Sequence, residues 1–211
     1  MISIPHALPE LLKVALSDSL PGTTAHQLMA PLKHNLSNDY SLSTPRNSSV
    51  LILLYKKENQ WWFPLIKRPD YQGPHGGQIS FPGGKWEQED ASPWHTALRE
   101  TREELGVQLP IEWLGALSKM YIARSNYMVY PHIGQLNETP FFYPDKREVE
   151  FILEVSLTKW LSSTHTHWFK RETGTQPIYA PYYKLNGHCV WGATAMMLSE
   201  FKQVMKNIIA S

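Results

Sequence analysis

The chain has 211 residues, with 20 Lys and Arg against 19 Asp and Glu and a formal net charge of +1 at pH 7. That balance excludes the basic footprint of a nucleic-acid binder and the acidic bias of a solvating tail, and 12% aromatic content with eight Trp excludes a disordered chain. The length suits one domain with a sizeable core, the lone Cys189 permits no intrachain disulfide, and the longest apolar run, VLILLY at 50–55, is far too short to span a membrane.

Residues 8–18, LPELLKVALSD, carry apolar side chains at 8, 11, 12, 15 and 16, which predicts a helix. A turn-rich stretch, broken by Pro21-Gly22, runs on to Pro45. Strands are predicted at 49–56 (SVLILLYK), 61–67 (WWFPLIK) and 78–81 (QISF), because each is short, β-branched or aromatic, and bounded by turn residues. Ser92-Pro93 opens a helix that ends at Gly106, with Ser as N-cap and Gly past the end. Residues 111–122, 127–135 and 148–157 read as further strands, 161–187 as irregular chain, and 193–208 as a closing helix with Met197, Leu198, Phe201, Val204 and Met205 on one face. Strands interleaved with few helices predict a mixed α/β sandwich. The N-terminus, MISIPHALPELL, lacks a basic segment leading into an apolar one, so no signal peptide is expected and a cytoplasmic location is.

The helix ending at Gly106 holds the chemistry. Glu100 and Glu104 are like charges one turn apart, which costs roughly 0.2–0.5 kcal/mol. Glu103 and Glu104 also oppose the negative end of the helix dipole, by about 0.3–1 kcal/mol each. A divalent cation would reverse both penalties, and the spacing lets all three carboxylates reach one cluster of hard cations. Upstream, SFPGGK at 80–85 is a strand ending in two glycines, whose backbone can approach a ligand closely.

GGKWEQEDASPWHTALRETREELGV resembles the signature of the Nudix hydrolases. RETREELGV (99–107) fits the family pattern Arg-Glu-apolar-X-Glu-Glu-X-Gly-apolar except at Thr101. Between Gly84 and Arg99 the chain has one residue more than the usual signature, and Glu87, Glu89 and Asp90 are the candidates for its upstream acid. That expansion resembles the coenzyme A pyrophosphatase branch, as do GGQISFPGG (76–84), PGTTAHQLMAP (21–31), REVEFILEVSL (147–157) and WGATAMMLSEF (191–201), so the likeness covers roughly residues 8–205. The chain departs from that branch at Gly73, where an Arg is usual, and Pro64-Leu65-Ile66 only loosely matches a Leu-Leu-Thr start.

The resemblance implies a Nudix-type α/β/α sandwich with a mixed sheet. It would comprise an N-terminal helical extension (1–46), a core (47–160) with the signature at 83–107, and a C-terminal insertion and closing helix (161–211). It implies Mg²⁺ or Mn²⁺ held by Glu100 and Glu104, with Glu103 as third ligand or base and a carbonyl of Gly83 or Gly84 completing the shell. Arg99 would hold Glu103 in place, and Glu148 is the alternative base. Arg68, Lys67, His75, Lys85 and Arg124 are the candidates for phosphate contacts, and Tyr121, Tyr127 and Tyr130 for an adenine or pantetheine pocket. His132 and Cys189 are expected to be buried and structural, and the alternating histidines of THTHWF (164–169) are not read as a metal site. The implied reaction is hydrolysis of coenzyme A or acyl-CoA to 3′,5′-ADP and (acyl-)4′-phosphopantetheine. Hydrolysis of another nucleoside diphosphate derivative such as ADP-ribose is the alternative, and a non-catalytic ligand sensor is a reading of another class. The expected partner is a small nucleotide, with a homodimer as the protein partner the branch implies and neither nucleic acid nor membrane.

Overall fold

The computed structural model describes residues 2–32, 44–70, 76–163, 166–172 and 177–210. Its centre is strand β1 (Arg46–Lys57), buried on both faces. Side chains alternate across a strand. Leu51, Leu53 and Tyr55 therefore enter one apolar cluster, while Ile52 and Leu54 enter the other. This is why the 50–55 segment is continuously apolar: both faces are covered.

Around β1 lie β2 (Gln60–Lys67), β3 (Ile79–Ser80), β4 (Gly83–Lys85), β5 (Glu112–Ala116), β6 (Met120–Ile122), β7 (Tyr127–Gln135) and β8 (Phe151–Ser156). The sheet runs β3-β2-β1-β7-β5, with β4 also on β1, β6 on β7 and β8 on β2. It is mixed: β1 and β7 are parallel from Arg46↔Tyr127 to Leu54↔Gln135, and the other pairs are antiparallel. Helix α3 (Pro93–Leu105) covers one face, packing Ala97 and Leu105 on Leu51, Leu53 and Tyr55. Helices α1 (Leu8–Ser17) and α5 (Gly192–Ala210) cover the other, with Leu12, Phe201 and Met205 in the larger cluster. The result is an α/β sandwich with helices on both sides of a mixed sheet.

The local signals around α3 hold. Ser92 Oγ accepts from the His95 amide at 3.4 Å, and Gly106, at φ 67°, donates to the Arg102 carbonyl at 2.9 Å.

Several expectations change. The 111–122 segment is two strands, β5 and β6: Leu117 still donates to Pro131 O of β7, but the next amide, of Ser118, turns to the Glu200 carboxylate. The strand expected at 148–157 spans only 151–156, since Glu148 and Val149 both donate to Asp145 O in a turn. Residues 157–162 then form helix α4 (Leu157–Ser162), capped by Ser156. The described residues of the 161–187 region are not irregular: β9 (His167–Arg171) and β10 (Ile178–Leu185) form, with β11 (His188–Trp191), a three-stranded antiparallel sheet. Its aromatics, with Phe169 against Tyr182 and Trp191, supply cross-strand packing. His165 lies outside the described residues.

The turn-rich N-terminal stretch contains a short helix, α2 (Gly22–Gln27). Its two threonines are weak helix formers, and tertiary contacts hold it. Glu200, fully buried in α5, accepts from the Gly22 amide at 3.0 Å, from Ser118 N at 3.2–3.3 Å, and lies 2.8 Å from His26 Nε2. One carboxylate thus ties together the start of the chain, the β5–β6 loop and the last helix.

Candidate active site

Helix α3 packs across β4, so its carboxylates meet the glycine pair. Gly83 has φ 151°, and a Cβ there would lie 2.6 Å from Val50 Cα and closer still to Ser49 O. Only glycine lets β4 lie this close to β1. The Gly83 amide donates to Glu104 Oε2 at 2.7 Å. The Glu100 carboxylate fills the space above Gly84 that a Cβ would need.

Glu104 is buried, and burial pushes its carboxyl up to about 7, against the opposing pull of Arg68 and the Gly83 amide. Glu100 is raised too, mainly by burial, and the charge of Glu148 adds to the upward push on both. Arg68 Nη2 lies 3.0 Å from Glu104 Oε1 but aims its hydrogen at the Gly83 carbonyl, 2.9 Å away. Among the described residues Glu104 Oε1 therefore accepts no hydrogen bond.

Arg99 organises the outer side. Its Nε and Nη2 donate to the two oxygens of Asp90 at 3.1 and 3.0 Å, Nη2 also donates to Lys85 O at 2.9 Å, and Nη1 reaches Glu100 Oε1 at 3.0 Å and Glu103 Oε2 at 3.1 Å. Asp90 is buried and also accepts from Thr96 Oγ1 and Glu87 N. The Arg99 guanidinium holds its carboxyl down at about 2, and Arg99 is raised in turn. Of the three acids left open in the sequence, Asp90 is the one that pairs closely with Arg99; Glu87 approaches only to 4.0 Å.

Beside the glycines opens a cavity of about 570 Å³. Gly83, Gly84 and Arg68 line one end, Lys85 and Arg124 contribute cations, and much of the remainder is apolar, including Ile122, Ile178 and Trp191. Among the described residues neither Lys85 nor Arg124 has an ion-pair partner. Tyr127 lines the cavity with the Arg46 guanidinium 4.4 Å over its ring.

The expected site residues are thus not all brought together. Glu100 and Glu104 meet Gly83 and Gly84, while Glu103 stands half exposed on the Arg99 side. Among the described residues no three His, Cys, Asp or Glu side chains are gathered as a ready metal cage. Glu148 lies in the turn after Asp145 and not on a strand. Lys67 is not a cavity group: its Nζ is 2.8 Å from Glu150 and 3.5 Å from Asp70, which neutralise it. His75 and Gly73 lie outside the described residues. Tyr121 is buried away from the cavity and bonds Asn126, and Tyr130 lines a smaller hollow beside Trp86.

His132 is buried as expected, accepting from Trp113 Nε1 at 3.3 Å, but Cys189 is exposed, because Val190 takes the inward place on β11. Sequence reasoning missed the apolar wall of the cavity. Its residues come from distant segments, and no local pattern marks them as neighbours.

The NUDIX domain family model matches residues 45–173. A protein of Yersinia pestis named "Uncharacterized Nudix hydrolase NudL" is 31% identical over 182 residues, covering 84% of this chain and 89% of its own, and a Yersinia pseudotuberculosis protein of the same name matches equally. Among solved structures, a MutT/nudix family protein from Enterococcus faecalis superposes with a TM-score of 0.53 at 18% identity, covering 97% of this chain and 76% of that one. The α3 carboxylates over a glycine-rich strand and the match across most of the chain agree: this chain belongs to the Nudix hydrolase family.

Proposed function

We propose that the protein is a Mg²⁺- or Mn²⁺-dependent pyrophosphatase cleaving coenzyme A or its acyl thioesters to 3′,5′-ADP and (acyl-)4′-phosphopantetheine. The cavity carries this reading. It abuts the carboxylate site at Gly83, Gly84 and Arg68, bears Lys85 and Arg124, which have no ion-pair partner among the described residues, and is largely apolar elsewhere. That layout suits a ligand with a diphosphate, a further phosphate and a long arm of low charge.

A divalent ion fits the residues present. Glu104 has a buried oxygen without a hydrogen bond among the described residues, Glu100 and Glu104 are both raised by burial, and the Glu100 carboxylate rests over Gly84 in a space that a side chain there would take from it. Glu100 and Glu104, with a carbonyl of Gly83 or Gly84, would hold it, and Glu103 is either a third ligand or the base on water. When bound, the ion supplies Lewis-acid charge to the diphosphate oxygens.

The chain supplies the rest. Arg68, Lys85 and Arg124 hold phosphate oxygens and fix the phosphorus for in-line attack by water. The new P–O bond forms as the bridging P–O bond breaks, and the water's proton passes to the Glu103 carboxylate, or to Glu148 as second candidate. Arg99 keeps Glu100 and Glu103 in orientation, and Asp90 keeps Arg99.

A second reading, ADP-ribose or a related diphosphate, is favoured by Gly73 standing where the coenzyme A branch has Arg. The test is a product assay with coenzyme A and excess Mg²⁺ or Mn²⁺, with Glu104→Gln in parallel. Release of 4′-phosphopantetheine by the native protein and not by the variant supports the first reading. Turnover of ADP-ribose alone supports the second, and turnover of no diphosphate supports the sensor.

A further inference from the structure

Arg68 presents a conflict that the proposed reaction leaves open. Its Nη2 stands 2.9 Å from Gly83 O and 3.0 Å from Glu104 Oε1. Glu104 is assigned to the divalent ion, and Gly83 O is one of the two carbonyls that can complete its shell. A guanidinium and a divalent cation at the same oxygens compete for them and repel one another. Yet Arg68 also lines the cavity, next to the place assigned to the diphosphate.

We propose that Arg68 is an exchangeable counter-ion: it covers the Glu104–Gly83 oxygens in the metal-free protein and, when a divalent ion takes them, turns into the cavity to bind the substrate's phosphate oxygens. The proposal rests on the metal reading above.

Three observations make the exchange feasible. The contact with Glu104 is close but not hydrogen-bonded, so the one directional bond the exchange breaks here is that from Nη2 to Gly83 O. The Arg68 side chain is 24% exposed against 1% for Glu104, so the arginine is the partner with room to move. Its backbone is fixed, with Arg68 N donating to Gln78 O at 3.0 Å and Gly77 N to Pro69 O at 3.0 Å, so the motion is confined to the side chain.

The exchange makes metal and anion binding cooperative. Metal alone must displace Arg68, and an anion in the cavity rewards that displacement. By reciprocity, each ligand strengthens the other by the same factor. Without Arg68, metal binds more tightly alone and the coupling shrinks.

The test is Mn²⁺ affinity, measured by electron paramagnetic resonance or calorimetry, with and without methylenediphosphonate as a non-hydrolysable diphosphate. Native protein, Arg68→Gln, Arg68→Lys and Glu104→Gln are compared. Expected are Mn²⁺ binding by Arg68→Gln that is tighter than native by roughly fivefold or more without the diphosphonate, and loss of most of the native enhancement with it. Arg68→Lys keeps a mobile cation and retains part of the coupling, which also serves if the Gln variant folds poorly. Equal or weaker Mn²⁺ binding by Arg68→Gln, with native binding still dependent on Glu104, overturns the exchange and leaves the metal reading standing. Mn²⁺ binding unaffected by Glu104→Gln overturns the metal reading and the exchange with it.

Discussion

The Glu100 carboxylate sits over Gly84 in the space that a Cβ would need, whereas the corresponding space at Gly83 is filled by the backbone of Ser49 and Val50. The two adjacent glycines therefore do different work. Gly84→Ala displaces the end of a flexible side chain, so the melting temperature of metal-free protein changes little while Mn²⁺ affinity and turnover fall by about tenfold or more, equivalent to roughly 1.4 kcal/mol. Gly83→Ala forces an unfavourable φ and a backbone clash, and destabilises by on the order of 2–3 kcal/mol. Thermal melts and Mn²⁺ titrations of the two variants side by side check the contrast.

Asp90 ties stability to acid. Its folded pKa, about 2, lies below the ordinary 3.8 because Arg99 donates to it. The resulting stabilisation, about 2 kcal/mol, is present above pH 3.8 and is lost as pH falls through 2. Asp90→Asn loses that increment at neutral pH. It also lowers turnover by loosening Arg99, and so Glu100 and Glu103. Denaturant melts from pH 2 to 7 would show the variant's profile flatter than the native one in the acid range.

His132 acts at a higher pH. Burial depresses it from 6.5 to about 4, and Nδ1 already accepts from Trp113, which assigns the proton of the neutral ring to Nε2. Below pH 6.5 the unfolded chain binds a proton that the folded protein refuses. Stability therefore falls between pH 6.5 and 4, by about 3 kcal/mol from this group. His132→Phe retains a ring against Trp94 and removes this slope, as stability measured across that range would show.

Glu200 is a fully buried carboxylate. Glu200→Gln keeps one oxygen for the Gly22 and Ser118 amides but puts an NH2 donor where the second oxygen now stands 2.8 Å from His26 Nε2 and 3.2 Å from Ser118 N, so the Ser118 amide meets a donor. A loss of about 3 kcal/mol is expected. Limited proteolysis should then cut first in residues 18–32, because α2 loses its anchor.

What could be read in the sequence and what could not divide along a physical line. Helix α3 was legible because Ser92, Pro93 and Gly106 act within a turn or two of their own positions. β1 was legible because a buried central strand must be apolar throughout. Helix α2 was not, since its support comes from Glu200, far away in the chain. The strands from 167 to 185 are held by pairing with one another, and the Thr, His and Tyr content of the surrounding 161–187 segment reads locally as loop. Within the site, the carboxylates and glycines stand in one short segment and were found together. Choosing Asp90 over Glu87 and Glu89 needed the Arg99 fork in place, and the neutralisation of Lys67 needed Glu150 and Asp70 beside it.

The cavity's walls have a consequence for how specificity can change. The carboxylates and their glycines all fall between residues 83 and 104, whereas the recess draws Leu32, Ile122, Ile178 and Trp191 from four other places in the chain. On the proposed function, bond-breaking and molecular discrimination are thus written in separate passages of the sequence. A substitution at Ile178 or Trp191 can reshape which arm is admitted without moving an atom of the hydrolytic centre, so a new preference can arise while the old chemistry is kept.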